Sequence, residues 1–181
     1  MSFDLHHLAG HVLLLSGHPG AGKTTAAETL AQLHGLPKVH LHSDDFWGYI
    51  KHGLIAPWLP QSHAQNVMIS QIAASVAAQY ARHGYFVVLD GVVRPWWLPA
   101  FAMLDVPLHY VVLRPTRDEA VARCQARGGD SLTDPAVVAD LHDQFSELGT
   151  HERHVLPTDG LDRQQTLDAV IAALDSGRFR L

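Results

Sequence analysis

Apolar positions along the chain fall into two alternating kinds of segment. The first kind is short and apolar almost throughout, as in residues 11–16, 85–90 and 108–113. A run of that length with no polar alternation predicts a strand buried on both faces. Residues 37–42 and 154–157 are weaker runs of the same sort. The second kind is longer, with alanine and leucine at helical spacing. Residues 24–34 end at Gly35 as a C-cap, residues 64–82 at Gly84, and residues 117–126 before Gly128-Gly129-Asp130. A further helix opens at Asp134-Pro135, and in residues 161–174 Leu167, Val170, Ile171 and Leu174 share one face. Strands alternating with helices predict an α/β fold with a mostly parallel sheet covered on both sides. No repeat or linker interrupts the pattern, so residues 1–181 are expected to form a single domain.

The balance of 47% apolar and 17% charged residues is that of a folded domain. With a net charge of −5 and lysines only at 23, 38 and 51, the chain lacks the basic surface that holds a polymer backbone. No nucleic acid polymer is therefore expected as partner. Cys124 is the single cysteine, which excludes an internal disulfide. The apolar runs are too short to cross a bilayer and residues 1–7 lack a basic leader, so a cytoplasmic location without membrane contact is expected.

Between the first strand and first helix lies Gly17-His18-Pro19-Gly20-Ala21-Gly22-Lys23-Thr24, which matches the Walker A pattern. Its backbone N–H groups must turn inward around phosphate oxygens, and a side chain at Gly20 or Gly22 is expected to obstruct that wrap. Lys23 is placed to reach the β- and γ-phosphates, and the Thr24 hydroxyl to ligate Mg²⁺. Thr25 either donates to the α-phosphate or packs at the helix start. His18 is expected to line the rim of the loop.

Asp90 ends the third strand, where it either supports Mg²⁺ or activates a substrate; the plainer alternative is a turn-capping carboxylate. Asp44 and Asp45 follow the second strand. One of them is a candidate base for an acceptor hydroxyl, or the pair caps a short helix starting at Phe46. The four tryptophans, Trp47, Trp58, Trp96 and Trp97, cluster after the second and third strands. They form either a stacking surface with Arg94 set for an anionic or hydroxyl-bearing group, or a small core under an insertion. Arg123 and Arg127 share a helical face and either close over the triphosphate or join a salt-bridged surface with Asp118 and Glu119. Cys124 reads as an apolar filler, and the 14 histidines, His40 and His42 among them, have no zinc-site spacing.

On these residues the chain resembles the small P-loop kinases, a group with shikimate kinase, gluconate kinase, chloramphenicol phosphotransferase, polynucleotide kinase and the zeta-toxin kinases, and it is similar to an AAA_33-like P-loop NTPase. The matching parts are Gly17–Thr24, Ser43-Asp44-Asp45-Phe46, Asp90-Gly91 and residues 117–128. The resemblance implies a P-loop nucleoside triphosphate hydrolase fold, with a parallel sheet in the order 2-3-1-4-5. It implies ATP with Mg²⁺, a base at Asp44 or Asp45, a lid around residues 123–135 with Arg123 or Arg127 near the β- and γ-phosphates, and residues 157–160 bordering the adenine. No arginine closely follows Asp45, unlike in polynucleotide kinases. The expected activity is transfer of the γ-phosphoryl of ATP to a hydroxyl of a small molecule, by a monomer or homodimer. The alternative is an NTP-hydrolysing regulatory protein with no acceptor.

Overall fold

The structure, a computed structural model, describes residues 5–127 and 134–181; the side chains of Arg127 and Pro135 also lie outside the described residues. Five strands, β1 (Val12–Ser16), β2 (Lys38–His42), β3 (Phe86–Asp90), β4 (Leu108–Arg114) and β5 (Val155–Pro157), form one sheet in the order β2-β3-β1-β4-β5. Every neighbouring pair is parallel. The order and class are those the sequence implied.

The alternation of side chains along each strand splits the core into two layers. On one face, Leu13, Leu15, Phe86, Val88, Val111 and Leu113 pack against α1 (Lys23–Gln32) and α7 (Arg163–Asp175). On the other, Val12, Leu14, Val87, Leu89, Tyr110 and Val112 meet α3 (His63–Arg82) and the short α4 (Pro99–Ala102). Both faces of the sheet are covered, so β1 and β3 are buried at every position. Helix α3 presents Ala73, Ala74, Ala77 and Ala81 to the sheet, small side chains that let its backbone come close. Helix α7 begins with a capping box between Asp162 and Gln165, which satisfies two amide groups of its first turn.

Two features differ from the sequence reading. Helix α2 (Ser43–Gly48) starts at Ser43, directly after β2, and not at Phe46. Asp44 and Asp45 therefore lie in its first turn and neither caps it through a side-chain hydrogen bond. They are favourable there because carboxylates complement the positive end of a helix. The second difference is the carboxyl-terminal tail, where Tyr110 N–H donates to Phe179 O (2.9 Å) and Leu181 N–H to Leu108 O (3.0 Å). The tail thus forms an antiparallel bridge, His109 to Arg180, beside the part of β4 that short β5 leaves unpaired.

After β4, α5 (Arg117–Arg127) and α6 (Pro135–Asp143) pack against each other, with Asp134 capping α6. The part of the expected lid at residues 128–133 lies outside the described residues.

The junction of β3 with α2 is tight. A Cβ built on Gly91 would come within 1.7 Å of Ser43 Oγ and 2.6 Å of Ser43 Cβ. Gly91→Ala should therefore cost about 1–3 kcal/mol by overpacking. Chemical denaturation of the two proteins without ligand checks this, and an unchanged midpoint would show that the junction yields freely.

Candidate functional site

The carboxyl ends of β1, β2 and β3 converge because the register sets Leu15 and His42 beside Asp90. Residues 17–22 leave β1 and turn into α1, whose N-cap is Gly22 with no side-chain cap. The amides of the first helical turn are thus left for an anion. Gly20 and Gly22 hold positive φ values of 78° and 90°. At Gly20 a Cβ would also sit 2.4 Å from the Ala120 carbonyl oxygen of α5. At Gly22 a Cβ would meet nothing within 4 Å, which corrects the steric expectation there: glycine suits that position through its backbone conformation. Lys23 is buried, and its Nζ donates to His18 O at 2.9 Å, which lays the side chain back along the loop.

His18 differs from its expected place on the rim. Its ring is fully buried under the loop, tilted on His142 of α6 at 4.6 Å between centroids and edge-on to Phe145. Nδ1 donates to Pro19 O, so the ring shapes the loop from within. Burial pushes its pKa down to about 4, with Lys23 and His142 adding to the shift and the bond to Pro19 opposing it.

Thr24 and Asp90 come together as expected: Thr24 Oγ1 donates to Asp90 Oδ2 at 2.7 Å. The other carboxylate oxygen, Oδ1, accepts from His40 Nε2 (2.7 Å) and His42 Nδ1 (3.0 Å). The sequence gives these two histidines no role in the site, although their alternation on a strand next to β3 is the signal that places both on one face. Burial alone would raise the Asp90 carboxyl, but the hydrogen bonds from both histidines, the charge on His42 and the Thr24 hydroxyl together hold it well below the usual carboxylate range. Reciprocally, the bond to Asp90 raises His42 against its own burial, helped by the charges of Asp90, Asp44 and Asp45. His42 also stands between two carboxylates, since its Nε2 lies 3.7 Å from Asp44 Oδ2.

Thr24 and Asp90 offer hard oxygen donors side by side, the type that Mg²⁺ prefers. Among the described residues, no group of three or more His, Cys, Asp or Glu side chains is gathered to hold a metal.

The loop separates two cavities. The first, about 610 Å³, runs from Lys23 and Thr24 past Asp44 to Trp47, Arg94 and Trp97. The second, about 550 Å³, lies across the loop and is lined by Ala21, Thr25 and Arg123 together with Leu161, Asp162 and Arg163. Asp44 lines the first cavity and Asp45 does not line either. Thr25 faces the second, and residues 161–163 border it where 157–160 were expected. Three of the four tryptophans share the first cavity, while Trp96 is 56% exposed and stands outside it. Trp97 also belongs to the core layer, whereas Trp58 and Trp96 are exposed.

The backbone just before Arg94 is anchored at Val93. Ser16 Oγ donates to Val93 O (2.6 Å), Tyr110 Oη donates to the same oxygen (2.8 Å), and Val93 N–H donates back to Ser16 Oγ (3.1 Å). The remaining arginines are more dispersed. Arg114 pairs with Glu152 and donates to Phe145 O and Ser146 O, and Arg117 lies 3.7 Å from Asp143. Arg123 is 4.0 Å from Glu119 while lining the second cavity. Cys124, the single cysteine, is buried in the wall of the first cavity.

The family model described as AAA domain matches residues 12–148. A cytidylate kinase of Pyrobaculum calidifontis is 32% identical over 111 residues, which are 61% of this chain and 59% of that protein. The match thus spans under two thirds of that relative's length. The tunicamycin resistance protein of Deinococcus radiodurans has the same fold, with a TM-score of 0.66 at 18% identity over 91% of this chain and 94% of that one. A gluconokinase from Sinorhizobium meliloti does so with a TM-score of 0.65 at 14% identity over 92% and 93%. The likeness to small P-loop kinases read from the sequence is borne out.

Asp90→Asn should be destabilising at neutral pH, because a carboxyl held below its unfolded value contributes stability above that value and loses it as pH falls. The gap between variant and wild-type denaturation midpoints should narrow below about pH 4. In the same variant the His42 imidazole, followed by NMR, should titrate at lower pH. A His42 titration unmoved by the substitution would break the coupling.

Proposed function

The chain belongs to the AAA domain family, whose model spans residues 12–148, and on that premise we propose that it is an ATP-dependent phosphotransferase acting on a small-molecule hydroxyl. The observation that carries this reading is the position of the phosphate loop between two separate cavities. A donor nucleotide would use the loop and the second cavity, leaving the first for an acceptor. A switch that only hydrolyses NTP needs room for a water, not a cleft of about 610 Å³ walled by tryptophans.

In this reading the loop amides and Lys23 cradle the triphosphate and stabilise charge on its β- and γ-oxygens. Thr24 and Asp90 would hold Mg²⁺, which would offset the negative charge that builds on the phosphate oxygens. His40 and His42 keep Asp90 ionised and fix one of its oxygens, so that the other stays turned toward Thr24. Asp44 is the candidate base, since it lines the acceptor cavity together with Lys23 and Thr24. The acceptor oxygen forms a bond to Pγ as the bond from Pγ to the bridging oxygen breaks. ADP leaves with that electron pair, and the acceptor proton passes to Asp44. Arg123, in the wall of the second cavity, would approach the nucleotide from α5.

With ATP, Mg²⁺ and a panel of hydroxylated metabolites and antibiotics, at least one compound should stimulate ADP release. Lys23→Ala should abolish both nucleotide binding and stimulation. Asp44→Asn should lower the stimulated kcat by about 10²–10⁴-fold with little change in ATP binding. Steady hydrolysis indifferent to every compound would support the regulatory NTPase reading in its place.

A further inference from the structure

Arg94 is a buried cation with no ion-paired carboxylate among the described residues. It is 6% exposed, its Nε has no hydrogen-bond partner among the described residues, and it lines the first cavity. It lies over two aromatic rings: Cζ is 4.9 Å from the Trp97 ring centroid and 5.5 Å from that of Trp96. Asp140 of α6 is the carboxylate whose charge reaches it, yet no ion pair forms. Ring faces attract a guanidinium but do not replace the water it loses on burial. A counter-charge in the cavity would.

The backbone that carries Arg94 is anchored, since Ser16 and Tyr110 both bind the carbonyl of the preceding residue, Val93. A guanidinium on a fixed backbone presents a planar fork that suits carboxylate or phosphate. The space in front of it has flat apolar walls. Trp47 and Trp97 lie 6.2 Å apart between centroids, and the Trp47 indole N–H is fixed by Asn66 Oδ1 at 2.9 Å. Asp44 contributes a carboxylate to the same cavity, so a neutral end and an anionic end of one ligand would be sorted by charge.

We infer that the acceptor is an organic anion with a flat or apolar body: its carboxylate or phosphate group is paired by Arg94, its body lies against Trp47 and Trp97, and its hydroxyl is turned to Asp44. The hydroxyl rests on the phosphotransferase reading; the anion site does not. Arg94 is thereby a specificity-determining residue.

The test is calorimetric titration of the full chain, with ADP and Mg²⁺ filling the phosphate loop, using matched pairs that differ in charge. The pairs are para-(hydroxymethyl)benzoate against para-(hydroxymethyl)benzamide, and cytidine monophosphate against cytidine. The anionic member of at least one pair should bind about 10-fold or more tightly than its neutral partner. Arg94→Gln should remove that preference, Arg94→Lys should keep part of it, and both variants should bind ATP within about twofold of wild type and retain the wild-type circular dichroism spectrum. Equal binding, or no binding, of both members of every pair would overturn the inference. So would a loss of ATP affinity in Arg94→Gln without a change in anion preference, which would assign the guanidinium to the donor's γ-phosphate. Anion binding at Arg94 without any stimulated ADP release supports this site and removes the phosphotransferase reading. Stimulation by neutral hydroxylated compounds alone does the reverse.

Discussion

All five strands run in one direction, and the parallel register between β1, β3 and β2 is what the rest of the site depends on. It sets the ends of three strands on one rim, so that the phosphate loop, Asp90 and the first turn of α2 emerge side by side. The connections after β1 and β3 then leave toward opposite faces of the sheet, into α1 on one side and the α4 layer on the other. A crevice opens where neighbouring strands send their chains apart. Thr24 and Asp90 meet in that crevice, and the two cavities lie on either side of the loop that fills its mouth.

Within the crevice, burial and charge pull against each other. Asp90 is fully buried, a place where a carboxylate is stable only when its oxygens are occupied. Three side-chain donors occupy them, and two are histidines from β2. Arg94 is the opposite case, a buried cation given aromatic faces and no partner among the described residues. One buried charge is fully furnished by the fold, and the other waits on something from outside.

Much of this was legible in the sequence because it is local. The uniformly apolar runs gave β1, β3 and β4, and the spacing from Gly17 to Thr24 identified the loop before any geometry was known. Asp90 could be placed at a strand end, but its partners could not. His40 and His42 reach it only through the pairing of β2 with β3, a contact between residues about fifty positions apart in the chain. The burial of His18 is hidden for a related reason. A histidine in a glycine-rich loop reads as exposed, whereas α6 and Phe145 close over it from a distant part of the chain. The early start of α2 reflects local chemistry that was present but ambiguous, since Asp44 and Asp45 suit either a cap or a first helical turn.

The tail that lies along the lower half of β4 bears on how the molecule behaves among its own copies. β5 pairs only with Val112, Leu113 and Arg114, and the backbone of Leu108 and Tyr110 is taken up by Leu181 and Phe179. At the far rim, β2 carries Lys38 and two histidines, and the Lys38 ammonium is drawn onto the carbonyls of Leu33 and Leu36. A sheet border that is covered by its own chain, or studded with polar groups, is a poor template for recruiting a foreign strand. Protection against strand-to-strand clumping is thus built into both flanks of a sheet whose interior is almost wholly hydrocarbon.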